Sequence, residues 1–346
     1  MSALSSIARF APSPTGPLHF GSLVTALASF LDARQRLGQW LVRIEDLDPP
    51  REVAGASDQI LRQLESHGLC WDGTVLYQST RLEAYAAALE SLLASELVYH
   101  CRCNRQRIQS LGGIYDGHCS ELQLPSNDCA ARLRVNDTRL SFNDQIIGQN
   151  QQNLKTESGD FVVRRRDGLF SYQLAVVVDD EYQAISHIMR GADLLDSTPR
   201  QIYLQQCLGY KTPDYAHLPL ALNAQGQKLS KQNQALELPE GNESEHLWAA
   251  LHWLQQSPPE QLQRQPVAEI LAWGIEHWAV KTVTDHLQDS LAPEGYSRQP
   301  PGRPTSPSVG RPADQPPSLK QFSQPATYPP QQLRGPVAEA NGPGGC

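Results

Sequence analysis

The stretch from Ile7 to Leu23 constrains this chain most. Ile7-Ala8-Arg9-Phe10 reads as a short buried strand. Pro12, Pro14, Gly16 and Pro17 then force a tight loop, because proline lacks the amide that helix and sheet both need. From His19 onward, Leu23, Leu27, Phe30, Leu31 and Arg34 continue a helical face that Gly38 can terminate. Strand, loop and helix in that order aim the unpaired N–H groups of a helix start past the strand's carboxyl end, where an anion is stabilised. Neither GxxxxGK[ST] nor GxGxxG is present, so the common phosphate loops do not account for the site.

Trp40-Leu41-Val42-Arg43-Ile44 reads as the next strand, and strand–helix–strand is the unit of a parallel sheet. Glu45-Asp46-Leu47-Asp48 falls at its carboxyl end, where open α/β sheets place ligands. A carboxylate there suits an ammonium, while Asp46 and Asp48 equally suit capping of the turn before Pro49-Pro50. Helical periodicity returns around residues 54–67 and 81–95, with a loop at 68–73 and a short strand at 97–99. Cys70 reads as a buried thiol.

With 346 residues, the chain has room for one large α/β domain with insertions or for two domains. No apolar run approaches the ~18 residues of a membrane helix, and no secretory signal is visible, so a soluble, cytoplasmic protein is expected. Seven cysteines, odd in number and clustered, suggest reduced thiols or metal ligands. A net charge of −8 argues against broad affinity for nucleic acid but leaves room for a local basic surface. The candidates are Arg102, Arg105 and Arg107, then Arg132 and Arg134, then Arg164-Arg165-Arg166.

Cys101 and Cys103, followed by Tyr115-Asp116-Gly117-His118-Cys119, place three sulfurs around a loop containing Gly112-Gly113, which can close on a tetrahedral zinc. Ligand statistics make His118 the first choice for the fourth position, with His100 or Asp116 behind it, and Cys129 a bystander. A thiolate-rich closed site is structural.

Ala11-Pro12-Ser13-Pro14-Thr15-Gly16, with His19, Gly21 and Ser22 following, resembles the HIGH signature of class I aminoacyl-tRNA synthetases in its glutamyl and glutaminyl form. Lys228-Leu229-Ser230-Lys231-Gln232 resembles the partner KMSKS signature. The likeness covers roughly residues 7–241 and within the branch is nearest to the glutamyl-Q subfamily. It implies an α/β fold: a class I synthetase Rossmann-type parallel sheet with a zinc-containing insertion at about residues 97–135 and a short helical C-terminal appendage. It also implies an ATP-dependent ligase that activates L-glutamate, with Mg2+ accompanying ATP and one structural Zn2+. His19 and Lys231 would be catalytic; Pro12, His19, Gly21, Ser22, Lys228, Ser230 and Lys231 would hold ATP. Arg9, Phe10, Ala11, Pro12, Ser13, Glu45, Tyr172 and Arg190 would hold glutamate, two arginines and one glutamate matching two carboxylates and an amine. Zinc would be held by Cys101, Cys103, Cys119 and, by resemblance, Tyr115.

Two departures stand out. Full-length glutamyl enzymes carry Asn where this chain has Val176, and Glu-Glu where it has Ala192-Asp193. Loss of such a polar contact removes ~1 kcal/mol or more, so weak glutamate binding is expected. Both departures favour the glutamyl-Q subfamily, whose acceptor is queuosine in the anticodon stem-loop of tRNA(Asp). A shortened glutamyl-tRNA synthetase acting on a tRNA 3′ end, and an idle synthetase-like RNA-binding protein, are the alternatives. The expected organisation is a catalytic domain at residues 1–238, a helical appendage at 239–294 too small for an anticodon-binding region, and a disordered tail at 295–346 that holds twelve of the 26 prolines. A monomer is expected.

Overall fold

The computed structural model describes residues 6–229, 235–286 and 291–297. Its strands are β1 (Ile7–Phe10), β2 (Gln39–Ile44), β3 (Leu76–Tyr77), β4 (Val98–Cys101), β5 (Ala130–Leu133), β6 (Arg139–Asp144), β7 (Gly148–Asn153), β8 (Phe161–Arg164), β9 (His187–Gly191) and β10 (Asp214–Leu218). Its α-helices are α1 (Phe20–Gln35), α2 (Ala56–Ser66), α3 (Leu82–Ala94), α4 (Arg105–Ser110), α5 (Leu154–Glu157), α6 (Tyr172–Tyr182), α7 (Thr198–Leu208), α8 (Glu243–Trp253) and α9 (Val267–His277).

The main sheet runs β3-β2-β1-β9-β10-β6-β7 and is parallel except for the β6–β7 hairpin at its edge. The expected Rossmann-type parallel sheet is therefore present. β1 lies near the middle, so its carboxyl end opens where successive connections leave in opposite directions.

Strand alternation sorts the side chains between two cores. Ala8, Phe10, Trp40, Val42 and Ile44 join α1, α8 and α9 on one face. Ile7 and Leu41 join α3, α6 and α7 on the other. Buried between the sheet and two further helices, α1 has almost no polar stripe, which explains its broad apolar sequence.

Three features bear on the expected boundaries. α8 and α9, in the expected helical appendage, share the core of α1 and pack as one body with the main sheet. The antiparallel sheet of the insertion, β4-β5-β8, is closed by β8, beyond the expected limit at residue 135. Tyr296, assigned to the tail, packs with its ring centroid 4.3 Å from that of Phe20; the rest of the tail, 298–346, lies outside the described residues. The glutamine-heavy connection also holds the β6–β7 hairpin, whose strand propensity is poor. Its turn is set by the Asp144 carboxylate, which accepts from the amides of Ile146 and Ile147 at 3.0 and 2.9 Å. Finally, Leu37, not Gly38, takes the left-handed conformation after α1. Gly38 is needed for another reason: a Cβ there would lie 2.3 Å from the Ser6 carbonyl oxygen.

Candidate active site

The loop after β1 delivers His19 as the N-cap of α1, its Nδ1 accepting from the Ser22 amide at 3.4 Å. A Cβ at position 21 would come within 3.2 Å of the His19 ring, so Gly21 leaves room for that ring beside the helix start. The loop is tied to β2 by the Glu45 amide, which donates to the Pro12 carbonyl at 3.0 Å. One imidazole and the free amides of a helix start thus face the ends of the parallel strands.

On the α6 side of the sheet, Arg9 of β1 and Arg43 of β2 converge on Asp180 of α6. Arg9 donates through Nε and Nη2 at 3.0 and 3.4 Å, and Arg43 through Nη2 at 2.8 Å. Burial opposes ionisation of Asp180, but Arg43 and Arg9 overcome it and hold the carboxyl below its usual range. Glu45, nearly enclosed, lies 3.7 Å from Arg43. Burial pushes Glu45 up to about 7, against the pull of Arg43 and Arg9. A carboxylate so placed gains most when an ammonium arrives.

Arg190 of β9 is 4% exposed, and each of its nitrogens has a partner. Nε donates to His217 Nε2 at 3.1 Å, Nη1 to the Tyr172 hydroxyl at 3.4 Å, and Nη2 to Thr198 Oγ1 at 2.8 Å. His217 of β10 in turn donates from Nδ1 to Asp144 at 2.6 Å. Burial raises the Tyr172 phenol, on which Arg190, Glu45 and Arg9 all act electrostatically, so the four side chains form one neighbourhood.

In the insertion, the sulfurs of Cys101, Cys103 and Cys119 lie within 4.8 Å of one another. The Tyr115 hydroxyl is 3.3 Å from Cys101 Sγ and 3.7 Å from Cys103 Sγ, and it accepts from the Cys119 amide at 2.9 Å. Three thiols and one phenolic oxygen around a common centre suit zinc, for which tetrahedral thiolate-rich sets with Zn–S of about 2.3 Å are usual. His118 is exposed, and Asp116 is engaged by Arg107. Gly159 makes the close approach to Tyr115 possible: at φ +68° it has no Cβ, which would lie 2.4 Å from the Tyr115 carbonyl oxygen.

A family model for tRNA synthetases class I (E and Q), catalytic domain, matches residues 7–242. The chain is 53% identical over 277 residues to the glutamyl-Q tRNA(Asp) synthetase of Serratia proteamaculans, covering 80% of this chain and 91% of that one. It is 53% identical over 279 residues to the protein of that name from Escherichia coli K12, covering 81% and 91%. The chain belongs to the glutamyl-Q tRNA(Asp) synthetase family of class I aminoacyl-tRNA synthetases. Its backbone superposes on a glutamate tRNA ligase of Elizabethkingia meningosepticum, crystallised with its amino acid, with a TM-score of 0.67 at 25% identity. That match covers 81% of this chain and 66% of the ligase. This chain is thus a ligase of the aminoacyl-tRNA synthetase type.

The fold of this synthetase brings together Arg9, Glu45, Tyr172 and Arg190 from four distant segments. Phe10 departs from expectation: its ring stacks on Trp40 with centroids 6.3 Å apart, so only its main chain can face the site. Ala11 and Pro12 are half-buried in the loop and Ser13 is exposed. Lys228 bonds to the Asp193 carboxylate, one of the two departures from the full-length pattern. Val176, the other, is wholly buried in the apolar core. Ser230 and Lys231 lie outside the described residues. Asp48 accepts from Arg51 and serves the turn before Pro49-Pro50, whereas Asp46 accepts from the amide and hydroxyl of Ser79, in the 3-10 turn after β3. Among the basic candidates, Arg132 is buried over the Tyr115 ring, and Arg107, Arg134, Arg165 and Arg166 are ion-paired. Sequence alone does not single out Asp180, Arg43, His217, Asp144 and Thr198; the alternation that turns Arg43 to the face of Arg9 is the available signal for one of them.

Proposed function

We propose that this chain activates L-glutamate with ATP and transfers the glutamyl group to queuosine in the anticodon stem-loop of tRNA(Asp). The glutamate carboxylate attacks the α-phosphorus of ATP, pyrophosphate leaves, and a hydroxyl of the cyclopentene diol then takes the acyl group as AMP departs. Arg190 and Arg9 take the two carboxylates of the amino acid, with Nη1 of Arg9 not engaged by Asp180. Glu45 takes its ammonium, and Tyr172 lines the pocket. His19, Gly21, Ser22, Pro12 and the amino end of α1 receive the phosphates. Lys228, Ser230 and Lys231 follow pyrophosphate as it forms, and Mg2+ enters with ATP. Catalysis of this kind is positioning and electrostatics, with no covalent enzyme intermediate.

Cys101, Cys103, Cys119 and Tyr115 would hold one Zn2+, which supplies a structural cross-link for the insertion. Residues 1–238 carry the chemistry and 239–294 support it; the reaction is placed in the cytoplasm, on a monomer. Among the described residues no helix is long and apolar enough to cross a membrane.

The observation that carries this reading is the nearly enclosed Glu45 set between Arg9 and Arg43 in the neighbourhood of Arg190 and Tyr172, a polar set that matches a diacid amine. The names of relatives, 91% of whose length is covered, carry the choice of acceptor. Labelled glutamate should load tRNA(Asp) containing queuosine through an alkali-labile ester in the anticodon loop, and should not load the same tRNA with guanosine there. Loading of tRNA(Glu) at its 3′ end would instead make the chain a shortened glutamyl enzyme.

A further inference from the structure

Arg190 has five N–H bonds, and three are committed within the protein. Nε and Nη2 form one edge of the guanidinium, and that edge is covered by His217 Nε2 and Thr198 Oγ1, which are themselves 3.0 Å apart. The Tyr172 hydroxyl takes one hydrogen of Nη1. None of these partners takes the second hydrogen of either Nη, and with the Nε/Nη2 edge covered the Nη1/Nη2 end is the bidentate face that is left. An arginine with four torsions would otherwise spread over many rotamers; here the covered edge leaves only end-on presentation to a carboxylate.

His217 can do this only as a neutral ring with its proton on Nδ1. Asp144 imposes that tautomer: its Oδ2 faces Nδ1 at 2.6 Å, while Oδ1 accepts the amides of His217, Ile146 and Ile147 at 3.1, 3.0 and 2.9 Å. Both His217 and Asp144 are essentially without solvent exposure. We infer that His217, locked by Asp144 and joined by Thr198, is a positioning residue that fixes Arg190 for end-on capture of a substrate carboxylate. The chain runs from the β6–β7 turn through β10 to β9 and ends at the pocket, so an acidic residue at the sheet edge determines how the amino acid is gripped. This rests on Arg190 binding a glutamate carboxylate, as proposed above.

Steady-state glutamate-dependent ATP–pyrophosphate exchange on the full chain tests it. His217→Asn keeps a donor near Nδ1 for Asp144 but offers Arg190 no acceptor, and should raise the KM for glutamate about 10- to 100-fold, the usual loss for a hydrogen bond to a charged group. The KM for ATP and the melting temperature should hold. His217→Gln places an amide oxygen near the position of Nε2 and should recover most of the loss. Thr198→Val, which removes a hydroxyl at constant volume, should shift glutamate KM in the same direction. Equal impairment in the Asn and Gln variants, or losses that follow melting temperature and ATP affinity alike, would reduce His217 to a packing residue and overturn the inference. If Arg190→Ala raises glutamate KM but His217→Asn and Thr198→Val do not, only the inference fails. An unchanged KM in Arg190→Ala removes the underlying reading of the pocket as well.

Discussion

Glu45→Gln separates binding from folding at one position. Burial raises the carboxyl from 4.5 to about 7, even with Arg43 and Arg9 drawing it down, so the folded state holds its proton more tightly than the unfolded chain does. The cost of ionising Glu45 is therefore absent below the unfolded value, grows as pH rises, and is fully present above about 7. A rise of that size corresponds to about 3 kcal/mol once Glu45 is ionised in both states. Glutamine matches the protonated form in shape and charge. In the unliganded protein Glu45→Gln should thus be more stable than the parent by roughly 1.5 kcal/mol at pH 5.5 and about 3 kcal/mol at pH 8, read from urea midpoints at equal m-values. Activation should move the other way: exchange in the parent climbs with pH toward a plateau above about 7, where Glu45 is ionised, and the variant shows little glutamate-dependent exchange at any pH. A variant that is less stable than the parent at pH 8 would refute the reasoning, because Glu45 would then be a stabilising partner of Arg43 and not a carboxylate held in reserve for an ammonium.

Four further outcomes are expected. Elemental analysis should find zinc bound to the parent and to Cys129→Ser but not to Cys101→Ser or Cys119→Ser, and Tyr115→Phe should hold it more weakly. Gly159→Ala, which sets a Cβ against the Tyr115 carbonyl at a positive φ, should lose at least ~1 kcal/mol of stability and weaken zinc retention. His19→Ala, and Lys231→Ala outside the described residues, should each slow glutamate activation by ~2.7–4 kcal/mol of barrier while the fold persists, checked by exchange rates alongside circular dichroism. Tyr296→Ala removes a ring packed on Phe20 and near His246 and should lower the melting temperature, whereas a tail beginning only after Ser297 would leave this contact intact.

Much of the candidate site's local structure was legible because it is set by sequence neighbours. Proline, glycine and histidine between Ala11 and Gly21 specify the loop and the helix start with no help from distant residues. Glu45 could be found because it directly follows a strand of recognisable pattern, and the cysteine spacing by itself pointed to zinc. The side chain that joins the three sulfurs was not legible in the same way. Tyr115 and His118 are three residues apart, and which one turns inward depends on Gly159 and Arg132, from other strands of the insertion.

What the sequence by itself determined is the set of segments and their residue types: β1, the histidine-capped start of α1, the acid after β2, the cysteine cluster. The strand order β1-β9-β10-β6 decided the rest. With β2 beside β1, it sets Arg9 and Arg43 against Asp180, and burial next to them raises the Glu45 carboxyl to about 7 against their pull. It also lines up Asp144, His217 and Arg190 across neighbouring strands, though they lie far apart in the chain. Phe10 shows the same division: the resemblance placed it in the pocket, but strand alternation turns its ring to Trp40 because Arg9 already faces the other side. A side chain's protonation and direction depend on what surrounds it after packing, and the surroundings here come from segments that share no sequence neighbourhood.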